Sequence, residues 1–223
     1  MNFLALDTST KNFSLAVSQD EELMIEQNKL CDKVLSNSII PAIKNILQKS
    51  KIELSQIDCF VVGRGPGSFT GLRVGLSTIK ALALATHKPV VGIPTLDAIA
   101  LNSYQPPFTS ICVMSDARRD LVYACLYQRE GDCLKRKSKY LLTTIDDVLK
   151  KVKPTTLFTG DAVKIFRKEI LQYKGSFTKE RYWSPRASCL IKLAWPKIQK
   201  RDFDDIDRLV PLYLYPKDCQ VQR

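Results

Sequence analysis

The stretch Gly63-Arg64-Gly65-Pro66-Gly67-Ser68-Phe69-Thr70-Gly71-Leu72-Arg73-Val74-Gly75 places five glycines in thirteen residues, directly after the apolar run Cys59-Phe60-Val61-Val62. An apolar run that ends in glycines reads as a buried strand entering a tight turn, where the backbone approaches another group closely. Ser68 or Thr70 then caps a helix over about residues 71–85, and the first amides of such a helix favour an anion. Gly71 and Gly75 are four apart, so they share a helix face with Thr78, Leu82 and Ala85. Small residues permit close approach, and spacing by itself favours approach to the chain's own sheet.

The flanking sequence sets the organisation. Phe3-Leu4-Ala5-Leu6 reads as a buried strand ending at Asp7-Thr8-Ser9-Thr10. Residues 13–18 and 23–30 give two more strands, an antiparallel meander before any helix. Ile39, Ile43, Ile46 and Leu47 predict a helix over 38–49, capped by Ser36 or Ser38, with Pro41 in its first turn. Residues 89–93 are a strand, and a short helix opens at Pro94. The linker candidate, 103–107, divides an N-terminal lobe, 1–105, from a C-terminal lobe, 106–223. The second half restarts with a strand over 110–116 that also ends in an aspartate. Strands over 121–127 and 134–140 follow. Helices over 145–151 and 162–171 flank the strand 156–159. A last helix over 187–199, interrupted by Pro196, is expected to pack back on the N-terminal lobe. The opening strand–Asp–turn–strand thus occurs twice, at Asp7 and Asp116, as a loose duplication.

Composition excludes several classes. No apolar run approaches the roughly 20 residues that span a bilayer, and Asp7 comes too early for a signal peptide. The expectation is a cytoplasmic protein. Seven scattered cysteines without a Cys-x-x-Cys pair argue against a disulfide framework or a zinc site. Residues 1–105 hold 10 Lys and Arg against 9 Asp and Glu, while residues 106–223 hold 24 against 14. That asymmetry points to an acidic partner for the second half or to a solvated lysine-rich surface. The cluster Lys135, Arg136, Lys137 and Lys139 is the nucleic-acid candidate.

Five stretches, in order and from end to end, resemble the TsaB (YeaZ) family. They are residues 4–10, the run Gly63 to Gly75, Gly92-Ile93-Pro94-Thr95-Leu96, Asp116-Ala117-Arg118-Arg119-Asp120-Leu121-Val122-Tyr123, and Pro211-Leu212-Tyr213-Leu214-Tyr215. Residues 128–205 match only in general layout. The resemblance implies an α/β fold of the actin-like ATPase (ASKHA) superfamily: two related lobes, each a mixed sheet with flanking helices, meeting at a cleft. It implies a non-catalytic scaffolding subunit that works with TsaD, the catalytic subunit, and TsaE, an ATPase. Together these move threonylcarbamoyl from threonylcarbamoyl-adenylate to N6 of the adenosine 3′ of the anticodon in tRNA. On this resemblance Ile39, Ile43, Ile46, Gly71, Val74, Gly75, Thr78 and Leu82 bind the catalytic partner, or a second copy when the partner is absent.

The resemblance implies no required cofactor and leaves room for weak ATP or ADP binding at a subunit interface, through Asp7, Thr8, Ser9, Gly65, Gly67, Ser68 and Asp116. Active superfamily members carry glycine in an Asp-x-Gly-x-Thr phosphate loop; Ser9 fills that position here, and Asp116-Ala117-Arg118-Arg119 has no glycine either. The aspartates then read as strand-end and turn caps. Catalytic relatives hold metal through His-x-x-x-His, whereas this chain has one histidine, His87, read as an exposed loop residue. Leu35 occupies the place where TsaB relatives often carry a histidine. The alternatives are a glycoprotease-like metallohydrolase, which needs metal ligands or a nucleophile–base pair, and a small-molecule kinase, which needs phosphate-loop glycines.

Overall fold

Short apolar runs bounded by polar turns set the opening strands. The computed structural model describes residues 1–30, 35–103, 107–131 and 133–215. Strands β1 (Asn2–Asp7), β2 (Asn12–Gln19) and β3 (Glu22–Leu30) form the antiparallel meander. Next come α1 (Leu35–Ser50), β4 (Cys59–Gly63), α2 (Phe69–Thr86), β5 (Val90–Ile93) and α3 (Thr95–Asn102). The sheet order is β3-β2-β1-β4-β5, with β4 parallel to β1 and β5 parallel to β4. The second half runs β6 (Ser110–Arg118), β7 (Leu121–Glu130), β8 (Cys133–Arg136), β9 (Leu141–Thr144), α4 (Ile145–Leu149), β10 (Leu157–Thr159), α5 (Ala162–Ile165), α6 (Arg167–Gln172), β11 (Ser176–Phe177) and α7 (Ala187–Gln199). Its sheet order is β11-β10-β6-β7-β8, and β9 also pairs with β7. Each sheet carries antiparallel strands on one side of its opening strand and parallel strands on the other. The duplication read at Asp7 and Asp116 is therefore one of topology.

Residues Met1–Ala98 with Ser184–Pro211 form one compact unit, and Ile99–Trp183 with the chain from Leu212 onward form the other. The division expected at residue 105 lies outside the described residues. The observed one falls within α3 and assigns 184–211 to the first unit. The reason is visible in β2, whose two faces are both buried: Phe13, Leu15 and Val17 on one, Ser14, Ala16 and Ser18 on the other. The large side chains meet Ile39, Ile43 and Ile46 of α1 and Leu76 and Ile79 of α2. The small ones leave room for α7, which packs on β1, β2, β4 and β5. Trp195 of α7 meets Phe3 edge-on, with ring centroids 5.8 Å apart.

The start of α7 is anchored by side chains from the meander. Ala187 N donates to Ser14 Oγ at 2.7 Å, Ser188 N to Glu26 Oε1 at 2.9 Å, and Arg186 Nη1 to Glu26 Oε2 at 2.8 Å. Burial pushes the Glu26 carboxyl up, but the hydrogen bonds from Ser188 and the Arg186 guanidinium together hold it below its ordinary value. Glu26→Ala should therefore destabilise the chain by about 1–3 kcal/mol in a denaturant titration at neutral pH. A carboxyl held below its unfolded pKa stabilises above that pKa and loses the effect as pH falls through the lower folded value. The gap between wild type and Glu26→Ala should accordingly shrink below about pH 4.5, the unfolded value. A pH-independent gap would mean that the carboxylate charge is not what anchors α7.

Some local expectations are revised. Helix α1 already runs from Leu35, so Ser36 and Ser38 lie inside it and Pro41 falls in its second turn. Proline there leaves the Asn37 carbonyl without its helical donor. Helix α7 passes through Pro196 without a break. The helix expected over 162–171 divides at Phe166, whose φ of −101° and ψ of 27° are not helical. The strand expected over 134–140 is only Cys133–Arg136. Cys59, Cys112, Cys125 and Cys189 are buried thiols outside any disulfide, and burial raises Cys59 to about 12 and Cys189 to about 11.

Candidate functional site

The glycine-rich run is explained by what lies against it. Asp7 is fully buried at the end of β1. Its Oδ1 accepts from Ser9 N at 2.8 Å and Ser9 Oγ at 2.6 Å, and its Oδ2 accepts from Thr95 Oγ1 at 2.8 Å. Thr95 Oγ1 in turn accepts from Gly65 N at 3.2 Å. Thr8 Oγ1 donates to the Gly71 carbonyl at 2.7 Å, and Ser68 N donates to the Ser9 carbonyl at 2.7 Å. A Cβ at Gly63 would stand 1.9 Å from Asp7 Oδ2, at Gly67 2.4 Å from Ser9 O, at Gly71 2.1 Å from Thr8 O, and at Gly75 2.1 Å from Thr8 Oγ1. Four glycines are thus the cradle in which the Asp7-Thr8-Ser9 turn sits. Desolvation by burial pushes the Asp7 carboxyl up, against the hydrogen bonds from Ser9 and Thr95.

The structure brings Asp7, Thr8, Ser9, Gly65, Gly67 and Ser68 together, but most of their polar groups are engaged within the chain. Ser68 Oγ is the cap of α2, accepting from Gly71 N at 3.2 Å, so Thr70 is not the cap. Asp116, in the second unit, lies in β6 at the bulge that precedes the hairpin turn. Its N donates to Asp161 Oδ1 at 3.0 Å, and its own Oδ1 accepts from Arg118 N at 2.7 Å. Arg118, Arg119 and Asp120 have φ of 67°, 53° and 57°. A left-handed backbone costs such residues about 1–2 kcal/mol each. Tyr215 Oη holds the turn by donating to the Ala117 carbonyl at 2.7 Å. This stretch is a hairpin clasped by Tyr215.

The partner-binding set changes most. Ile39, Ile43 and Ile46 are buried in the first unit's core, and Gly71 and Gly75 are buried against Thr8. These five spend most of their surface within the chain, and Ile43 meets solvent at the base of a groove between α1 and α2. Val74, Thr78 and Leu82 are half-buried. The outward faces of α1 and α2 carry Ile40 at 54%, Phe69 at 54% and Leu84 at 58% exposure. Ile40, Lys44, Gln48 and Leu82 line a groove with Ile43 and Leu47 at its base, and the Arg73 guanidinium lies over the Phe69 ring. The signal for Ile40 was present in the sequence: it is the isoleucine out of phase with the core stripe. Leu35 packs against the core edge, and His87 is the exposed left-handed cap that ends α2.

Two cations of the basic cluster share one carboxylate. Lys135 Nζ lies 2.7 Å from Glu130 Oε2, and Lys137 pairs with the same carboxylate. Hydrogen bonds from Lys135 and Lys137 hold Glu130 down at about 2. Arg136, between them, lies over the Tyr140 ring instead, 4.5 Å from its centroid. Alternation along an extended strand separates these neighbours. Among the described residues, no group of three His, Cys, Asp or Glu side chains can hold a metal ion, and no helix is long and apolar enough to cross a membrane.

A family model described as "TsaD: tRNA N6-adenosine threonylcarbamoyltransferase" matches residues 27–200. Proteins named "tRNA threonylcarbamoyladenosine biosynthesis protein TsaB" are similar to the chain. That of Bacillus subtilis is 28% identical over 100% of this chain and 97% of its own length. That of Buchnera aphidicola is 30% identical over 74% and 81%. The match to the Escherichia coli protein, 35% identical, spans 58% of this chain and only 56% of that protein. A solved YeaZ-like protein from Pseudomonas aeruginosa superposes with a TM-score of 0.83 over 96% of this chain and 99% of that one, at 23% identity. The Clostridium difficile activator of 2-hydroxyisocaproyl-CoA dehydratase, solved with ADPNP, superposes with a TM-score of 0.51 over 92% and 99%, at 9% identity, which extends the likeness to the actin-like ATPase fold. By end-to-end motif order, fold and these matches, the chain belongs to the TsaB (YeaZ) family.

Proposed function

We propose that this chain is the non-catalytic subunit of the machinery that makes threonylcarbamoyladenosine in bacterial tRNA. It holds a TsaD-like catalytic subunit, works beside a TsaE-like ATPase, and so takes part in moving threonylcarbamoyl from threonylcarbamoyl-adenylate to N6 of the adenosine 3′ of the anticodon. That role implies a cytoplasmic site of action. The observation that carries the reading is the apolar groove between α1 and α2, where exposed Ile40 and half-buried Leu82 stand over Ile43 and Leu47, in a member of this family. Half-buried Val74 and Thr78 lie two turns and one turn before Leu82 on the same side of α2. The same surface pairs two copies of the chain when the catalytic subunit is absent. Calorimetric titration of the chain with the catalytic subunit from the same cell tests this, with Ile40→Asp as the variant that should prevent binding.

In this reading no cofactor is needed to hold the partner. Any ATP or ADP contact is weak and lies at a subunit interface, because Asp7, Thr8 and Ser9 already spend hydrogen bonds within the chain. The purified chain is expected to cleave no peptide and to turn over ATP negligibly. Assays across successive purification steps check this. A turnover that follows the protein and disappears in Asp7→Asn, a substitution that keeps the side chain's shape, would favour the kinase or the metallohydrolase instead.

A further inference from the structure

We propose that the outer face of α4, α5 and α6, centred on Lys151, Lys153, Lys164, Lys168 and Lys174, contacts the phosphodiester backbone of RNA. The proposal rests on the reading above for its choice of RNA, and it moves the nucleic-acid contact away from the Lys135 hairpin. Residues 99–183 and 212–223 together hold 18 Lys and Arg against 10 Asp and Glu. Residues 145–175, from the start of α4, account for seven of those cations and four acids, Asp146, Asp147, Asp161 and Glu169. Three of the acids are engaged or half-buried: Asp147 pairs with Lys150, Asp161 is half-buried and accepts from the Asp116 amide, and Glu169 is half-buried, with Oε2 sealed from solvent.

Packing puts these cations on one side. Val148 of α4, Ala162 and Val163 of α5, and Ile170 of α6, with Phe166 between α5 and α6, all point into the core built on Cys112, Met114 and Phe158. The three helices therefore cover one face of the second sheet; α5 and α6 carry Lys164 and Lys168 outward, Lys151, Lys153 and Lys174 follow the ends of α4 and α6, and α4 itself carries Asp146 and Asp147. Tyr173 Oη donates to the Val152 carbonyl, which ties the Lys151–Lys153 segment to the end of α6 beside Lys174. All five lysines are exposed and form no ion pair among the described residues. Lys150 is paired, at 3.1 Å from Asp147. Composition decides between RNA and an acidic protein. Protein–protein interfaces are depleted in lysine and enriched in arginine and aromatics, whereas backbone phosphates need only cations close by. This stretch has six lysines and one arginine, and that arginine, Arg167, lies over the Phe177 ring.

The test is binding of unfractionated bacterial tRNA to the full chain by fluorescence anisotropy across a salt series. The five lysines are changed together to serine, and a melting curve verifies the fold. Each neutralised phosphate contributes about 0.7–0.9 to the log–log salt slope. The five-serine variant should lose about 2–4 from that slope and bind about 10–100-fold more weakly near 0.1 M salt. Changing Lys135, Arg136, Lys137 and Lys139 to serine should cost less than tenfold. Equal losses in the two variants would reduce the effect to net charge and overturn the location, and an unchanged slope would overturn the contact itself. Loss of catalytic-subunit binding with an unchanged RNA slope would assign the face to a protein and overturn the proposal. Binding of the wild-type chain to the catalytic subunit, measured by calorimetry, reports separately on the proposed function, so the two can fail independently.

Discussion

Gly71→Ala should lower stability by about 3–5 kcal/mol, the upper range for single substitutions, and the melting temperature by about 6–20 °C. The added methyl would stand 2.1 Å from the Thr8 carbonyl oxygen. That oxygen is backbone, at the end of a strand fixed on both edges, and it cannot withdraw. Gly75→Ala meets the same residue differently: its methyl would stand 2.1 Å from Thr8 Oγ1 and 3.2 Å from Thr8 Cβ. A hydroxyl can be removed. Thr8→Ala in the Gly75→Ala background should therefore restore part of the loss, with a coupling of about 1 kcal/mol or more. The same Thr8→Ala should leave Gly71→Ala unrescued. Thr8→Ala alone forfeits the 2.7 Å bond to the Gly71 carbonyl, so all four corners of the cycle are needed. A Gly71→Ala chain that melts with wild type would mean that the Asp7-Thr8-Ser9 turn is not seated against α2. The result also matters for interface studies, since a Gly75 substitution that disturbs the fold cannot report on contact with a partner.

Ile40→Asp should leave the melting curve within about 0.5 kcal/mol of wild type, as exposed surface changes do, yet weaken binding to the catalytic subunit about 100-fold or more. A 100-fold loss corresponds to about 2.7 kcal/mol, within the range for a residue that anchors an interface. The physical basis is that Ile40 is 54% exposed beside the groove that Leu82 also lines. A carboxylate there gains nothing from folding and is desolvated only when a partner covers it. Ile43→Asp serves as the contrast: that side chain is 4% exposed in the core, so the variant should fail to fold rather than fail to bind. Calorimetry with the catalytic subunit, alongside thermal melts, separates the two behaviours. Tight binding by a well-folded Ile40→Asp chain would move the interface off this pair of helices.

The sequence determined a good deal by itself. Short apolar runs bounded by turn residues fixed the meander β1–β3, because such a run reads as a strand before any partner is known. The run of glycines after β4 fixed a close approach, and the recurrence of strand–Asp–turn–strand fixed the duplicated topology. Spacing alone also favoured seating Gly71 and Gly75 on the chain's own sheet rather than on a partner, and they do pack within the chain, against the turn that follows β1. The tertiary structure decided which group they approach: a turn 63 residues earlier in the chain, reached through the Thr8–Gly71 hydrogen bond. It decided which helix residues remain for a partner, since a core stripe and an interface stripe share the same 3.6-residue period and only burial separates Ile39 from Ile40. It decided that Ser14, Ala16 and Ser18 form a buried floor for α7 rather than a solvated face, because a helix 160 or more residues distant in sequence covers them, as the Ala187–Ser14 and Ser188–Glu26 bonds record. And it decided that Lys135 and Lys137 spend their charge on Glu130, while the lysines of α4–α6 do not. Local sequence sets period and turn chemistry, but which face meets which is a long-range choice, made by the shape and charge of segments brought together only on folding.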